Sequence, residues 1–190
     1  MPIINGERIR LRAAEKEDIP RFLRWVNDAD VAENLLLVFP ISRHEEEQWY
    51  ASMMERPPSE HVMVIEVKET KKGEKNIPIG NIQFLEIDWR NRSTEIGIMI
   101  GEKSYWNQGY GTEAMRLMIN YGFHTLNLHR IWLRVFEQNK RGIRAYEKAG
   151  FIHEGKYRKA EYQHGKYQDV LLMSILNDEW QEGRTADDQQ

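Results

Sequence analysis

With 190 residues, 30% of them charged and 41% hydrophobic, the chain has the composition of a globular domain able to bury a core. A formal charge of −3 excludes a general nucleic-acid binder, which needs a basic face; it fits a cationic partner such as an amine but is too small to decide for one. No apolar run approaches the roughly 18 residues of a membrane span, and the absence of cysteine excludes disulfides and thiol catalysis. Met1 to Glu7 carries neither a basic region nor an apolar stretch, so no secretory signal is visible and a cytoplasmic location is expected.

Ile9, Arg10, Leu11 and Arg12 alternate and predict a first strand. Glu17-Asp18-Ile19-Pro20 opens a helix whose apolar face is Phe22, Leu23, Trp25 and Val26. The apolar run at 35–39 follows; it either packs into the core or serves as a lid or dimer contact. Ser42, with Glu45 three positions later, forms a capping box for a second helix through Trp49, Met53 and Met54, which Arg56-Pro57-Pro58 stops. Residues 62–67 are a strand. The charged stretch 71–76 is a solvated hairpin turn, and strands follow at 79–87 and 94–100. A helix beginning near Glu113 places Met115, Met118, Ile119, Gly122 and Phe123 on one core-facing stripe, so its methionines belong to packing. Residues 131–136 form a strand and Asn139 opens another helix. Strands at 151–157 and 166–176 meet near Gly165, and 185–190 read as a disordered tail. Elements in this order make an α/β fold with one mixed sheet packed on both faces.

Between the strand at 94–100 and the helix at 113 lies Trp106-Asn107-Gln108-Gly109-Tyr110-Gly111-Thr112. A strand, a glycine loop and a helix start aim backbone N–H groups and the positive end of the helix at one spot, which suits phosphate. With Asn139, Arg141, Tyr146 and Lys148-Ala149-Gly150-Phe151, this segment resembles the GCN5-related N-acetyltransferase (GNAT) family, whose members use acetyl-CoA. That family's phosphate loop reads Gln or Arg, two free positions, Gly, one free position, then Gly or Ala. Gly109 and Gly111 fill the last two places, but Trp106 stands where Gln or Arg is usual, which removes a side-chain contact and spares the backbone cradle. Asn127-Leu128-His129-Arg130-Ile131, Tyr146-Glu147, Gly150-Phe151 and Gly165-Lys166-Tyr167-Gln168-Asp169-Val170 are similar to the branch holding spermidine and ribosomal-protein N-terminal acetyltransferases.

The resemblance implies a GNAT-like single domain over 1–180, with a mostly antiparallel sheet and a tail from 181. It also implies acetyl-CoA as co-substrate, no metal, and an acceptor that is a small amine, a polyamine or a protein N-terminus. The N–H groups of Asn107, Gln108, Gly109, Tyr110, Gly111 and Thr112 would hold the pyrophosphate. The backbone of Ile98, Met99 and Ile100 would hold the pantetheine arm, and Asn139 would both cap its helix and contact that arm. Tyr146 would protonate the leaving thiolate: a phenol with a reference pKa of about 10 is close to the thiol it serves. Glu95, on the strand face opposite Ile96 and Ile98, is the candidate general base, with water as the alternative.

No Gly-x-Ser-x-Gly elbow is present, and the six histidines lack metal-ligand spacing, so direct transfer without an acyl-enzyme is expected. Glu33 and the run Glu45-Glu46-Glu47 are the acids near 35–40, and that run reads as a solvated helix face; spermidine is therefore not preferred over a peptide N-terminus or another small amine. A non-catalytic acyl-CoA-binding module on the same scaffold is the competing reading, against which Tyr146 argues. A dinucleotide-dependent oxidoreductase fails, because no parallel strand–helix–strand unit opens the chain and Arg134 stands where an acid is needed. Neither nucleic acid nor membrane is expected as a partner; a homodimer is compatible with the apolar run.

Overall fold

The computed structural model describes residues 3–35, 39–68 and 75–180. The centre of the apolar run, most of the turn expected at 71–76 and the tail expected at 185–190 lie outside these residues. The described strands are β1 (Ile4–Asn5), β2 (Ile9–Ala13), β3 (Met63–Val67), β4 (Ile77–Asp88), β5 (Ser93–Ile100), β6 (Arg130–Phe136), β7 (Ile152–Gln163) and β8 (Lys166–Leu176). They are hydrogen-bonded in the order β1-β2-β3-β4-β5-β6-β8-β7. β5 and β6 run parallel, whereas β1–β2, β2–β3, β3–β4, β6–β8 and β7–β8 are antiparallel. The helices are α1 (Ile19–Val26), α2 (Ala29–Ala32), α3 (Arg43–Met54), α4 (Tyr110–His124) and α5 (Lys140–Ala149). No described helix is long and apolar enough to cross a membrane.

The chain gathers into two compact units. Of the described residues, one takes those up to Phe84 and from Gly97 to Leu117; the other takes Leu85–Ile96 and those from Met118 to Trp180.

In the first unit, alternation in β2 buries Ile9 and Leu11 and leaves Arg10 and Arg12 on the opposite face. Glu66 of β3 receives both arginines at 2.7 Å, and Asp18 receives Arg12 at 2.6 Å and Arg21 at 2.8 Å, so these buried carboxylates are paired. The stripe Phe22 and Trp25 of α1 joins Tyr50 and Met53 of α3, Val64 and Met99 in one core cluster. The expected capping box opens α3: Ser42 Oγ accepts from Glu45 N–H at 3.2 Å, and Glu45 accepts from Ser42 N–H at 2.7 Å.

In the second unit, Met118, Ile119 and Phe123 of α4 are buried, as the stripe predicted, together with Ile131, Leu133 and Val135 of β6 and Met173 and Ile175 of β8. β8 lies between β6 and β7, and β7 forms the outer edge with nearly all its side chains exposed.

Two elements and two boundaries stand out against the sequence reading. β1 and α2 are too short to carry a period. α4 begins at Tyr110 rather than near Glu113. β7 continues to Gln163 because its pairing with β8 resumes, after a register shift between Tyr157 and Glu161, up to the turn at His164 and Gly165. Exposure along this edge removes the apolar alternation that would have signalled the extension.

Candidate active site

The residues singled out from the sequence fall into two groups, one within each unit. In the first, β5 ends at Ile100 and a single 3-10 turn, Lys103–Tyr105, leads to Trp106. Its indole Nε1 donates to the Ile100 carbonyl at 2.7 Å, and its ring packs on the core cluster. The position that carries Gln or Arg in the phosphate-loop pattern is thus spent on closing β5. The chain then turns through two left-handed residues, Asn107 at φ 60° and Gly109 at φ 84°. Asn tolerates that region and glycine enters it without strain.

Glu113 N–H is bonded to the Gly109 carbonyl at 3.0 Å, closing the first turn of α4. The N–H groups of Tyr110 and Gly111 precede that bond and open on the positive end of the helix. Gly111 and Thr112 are therefore helical rather than loop residues. The two glycines also differ in kind. A Cβ on Gly109 would be strained by its φ and would lie 3.2 Å from Arg8 Nη2, whereas one on Gly111 meets only Ile100 Cγ1 at 3.8 Å.

Along β5 the backbone edges alternate. A Cβ on Gly80 would overlap the Met99 carbonyl, which places that carbonyl against β4, and the N–H groups of Gly101 and Glu102 bond to Ile79 at 2.8 and 3.0 Å. The edges of Ile98 and Ile100 therefore face away from β4. Since Trp106 occupies the Ile100 carbonyl, the polar groups of Ile98 and the N–H of Ile100 are those left to meet a ligand.

In the second group, β5 pairs with β6 from Ser93↔Arg130 to Glu95↔Trp132, while β6 pairs with β8 along its whole length, from Arg130↔Leu176 to Phe136↔Val170. Glu95 sits where the parallel ladder stops. Its carboxylate is held in a fork by Arg134, Nε to Oε1 at 2.9 Å and Nη2 to Oε2 at 3.1 Å. That bond keeps the Arg134 guanidinium above its ordinary pKa.

Asn139 caps α5, its Oδ1 accepting from Gly142 N–H at 2.9 Å. Its Nδ2 has no acceptor among the described residues and is free to donate. α5 closes at Gly150, in the left-handed conformation at φ 103°, with Phe151 N–H returning to the Tyr146 carbonyl at 3.0 Å. This closure sets the Phe151 ring 6.2 Å from that of Tyr146. The Tyr146 hydroxyl has no hydrogen-bond partner among the described residues. Burial pushes the phenol up to about 12, with Arg141 opposing.

Sequence reasoning did not single out Arg8, Glu113 and Arg134, and it assigned Glu46 to a solvated face that the structure corrects. Glu45 serves the cap and Glu47 pairs with Arg43 at 2.8 Å, but Glu46 is only 6% exposed. Spacing carried no signal for these residues, because the partners of Arg8 and Arg134 are remote in the chain.

The first unit thus carries a strand that leads into a left-handed glycine turn and a helix start, and the second a half-buried tyrosine on a capped helix. The chain belongs to the acetyltransferase (GNAT) domain family, which matches residues 8–152. A spermidine N(1)-acetyltransferase of Vibrio cholerae serotype O1 is 28% identical over 175 residues, 92% of this chain and 96% of that protein. A putative ribosomal N-acetyltransferase of Bacillus subtilis, YdaF, is 34% identical over 102 residues, 54% of this chain and 55% of that protein. The crystal structure of the Vibrio cholerae spermidine N-acetyltransferase in complex with CoA and spermine superposes with a TM-score of 0.82 at 27% identity, covering 93% of this chain and 99% of that one. The protein is an N-acetyltransferase that uses acetyl-CoA.

Proposed function

We propose that the acceptor is a polyamine of the spermidine type. Glu46 carries the reading: this residue of α3 is only 6% exposed, and its carboxylate has neither an ion pair nor a hydrogen bond among the described residues. Burying an unpaired charge is costly, and burial here pushes the carboxyl above its ordinary 4.5. An incoming ammonium offsets that cost, while a neutral acceptor does not. Two spermidine acetyltransferases that align over nearly their whole length support the same reading. A protein N-terminus is the second reading, supported by the ribosomal relative over about half the chain.

CoA release with acetyl-CoA and a panel of spermidine, N-terminal peptides, free amino acids and aminoglycosides tests this. Spermidine is expected to turn over fastest; turnover of peptides alone would replace the polyamine with the second reading.

Glu46→Gln is expected to raise the KM for spermidine about tenfold, the loss of one charged hydrogen bond, while raising Tm at pH 7 by a few degrees. The sign follows from linkage. A carboxyl raised in the folded state binds more protons there than in the unfolded chain, so stability falls as pH rises through and above 4.5. The gain in Tm should vanish below that pH, where glutamic acid and glutamine are both neutral. A lower Tm at pH 7 would mean that Glu46 has a partner in the folded protein.

For the chemistry, the amine must lose a proton before it attacks the thioester. The Arg134 fork takes one lone pair from each Glu95 oxygen and leaves others for a water that collects this proton. Glu95→Gln should lower kcat/KM about fivefold and move the acid limb of its pH profile; an unchanged profile would assign the role to water alone. The N–H groups of the glycine loop receive the pyrophosphate, Ile98, Ile100 and Asn139 Nδ2 meet the pantetheine arm, and Tyr146 protonates the departing thiolate.

A further inference from the structure

We propose that Arg8 is a ligand of the acetyl-CoA pyrophosphate, supplied by the residue before β2 in place of the Gln or Arg that Trp106 displaces. The inference rests on the acetyl-CoA reading of the glycine loop and adds a residue to it.

The backbone of Arg8 is pinned on both sides. Its N–H donates to Glu113 Oε1 at 2.8 Å and its carbonyl accepts from Lys68 N–H at 2.9 Å. From there the side chain lies across the loop. Nε donates to Glu113 Oε2 at 3.0 Å, Nη1 to the Gln108 carbonyl at 2.9 Å, and the guanidinium carbon sits 4.5 Å above the Tyr110 ring. Three kinds of contact fix one orientation, so little rotamer entropy remains to be lost on binding. Nη2, the group beside Gly109, has no acceptor among the described residues.

Charge balance around the loop favours the same assignment. Lys103 is shared between Asp28 and Asp30 at 2.8 and 2.7 Å, and Arg24 is bonded to Glu102. Glu113, a carboxylate in the first turn of α4, would repel a phosphate. However, its Oε1 accepts the N–H groups of Arg8 and Ile9, at 2.8 and 3.2 Å, and its Oε2 accepts Arg8 Nε, which turns its charge toward the start of β2. Arg8 is thus held by a carboxylate on one edge and presents its other edge beside the left-handed glycine. A planar fork with free N–H groups suits phosphate oxygens.

Trp106 cannot serve in this way. Its indole is committed to the Ile100 carbonyl and its ring to the core.

The test compares two donors, acetyl-CoA and acetyl-pantetheine, the latter lacking the phosphates. Arg8→Gln is expected to raise the KM for acetyl-CoA about tenfold, with kcat within about twofold, and to leave the KM for acetyl-pantetheine within about twofold of wild type. Arg8→Lys, which keeps a cation beside Gly109 but not the fork, should recover part of the loss. An Arg8→Gln protein that binds acetyl-CoA as wild type does overturns the proposal, and so does an equal loss on both donors, which would mean the loop has collapsed. If Arg8→Gln fails to fold, Arg8→Lys carries the same comparison: it must weaken acetyl-CoA and spare acetyl-pantetheine. Wild-type protein that binds no acetyl-CoA would overturn the cofactor reading itself, and the proposal with it.

Discussion

Replacing Tyr146 by Phe is expected to lower kcat about 10- to 100-fold while leaving the KM for acetyl-CoA within about twofold, the pattern of a group that acts only as the thiolate departs. Only the hydroxyl is removed, so the ring contact with Phe151 persists and stability should not fall. Burial holds the phenol near 12, so it remains protonated across the working range and imposes no alkaline limb below about pH 10. A phenol this weak would give its proton to a solvated thiolate only uphill. A thiolate leaving beside Tyr146 would be desolvated as well, which raises the pKa of its thiol in the same direction and restores the match. Steady-state kinetics from pH 6 to 10 check both points. Unchanged turnover in Tyr146→Phe would sink the acid assignment.

Gly109→Val should weaken acetyl-CoA binding about 100-fold by isothermal titration, and it should also cost stability, since a β-branched residue at φ 84° is strained and crowds Arg8. Gly111→Ala separates ligand from fold. Its added methyl meets Ile100 only at ordinary contact distance, so Tm should be unchanged or slightly higher, as expected for alanine in a helix. Any loss of acetyl-CoA affinity in Gly111→Ala then reports how closely the phosphate approaches the helix start. Full affinity in Gly109→Val would show that the left-handed turn is not part of the cradle.

Features whose causes lie within a few residues were legible in the sequence. The Ser42–Glu45 box, the Asn139 cap with its Gly150 stop, and the stripe from Met115 to Phe123 are set by local hydrogen-bond geometry and helical period, and each stands where the spacing put it. The glycine loop was legible for the same reason, although helix α4 starts at Tyr110, earlier than a first apolar residue could indicate. β7 was only half visible. Its outer stretch carries charges on both faces, and its strand state comes from pairing with β8.

The consequences of long-range neighbours were illegible. Glu45, Glu46 and Glu47 are one run of like residues in the chain, yet one caps, one is buried with no partner among the described residues and one pairs with Arg43. Helical rotation separates consecutive residues by about 100° and sends them into different surroundings. Glu95 acquires its guanidinium from 39 residues away, and the Gln108 carbonyl meets an arginine 100 residues earlier.

The amino-acid sequence by itself therefore determined the class of fold, which rests on periodicity, and the resemblance to the acetyl-CoA family, which rests on short motifs. Only the tertiary structure decided that Trp106 faces the core, that Arg8 lies across the loop and that Glu46 is a buried charge. Burial and ion pairing depend on which distant segments fold against one another, and spacing along the chain does not encode that.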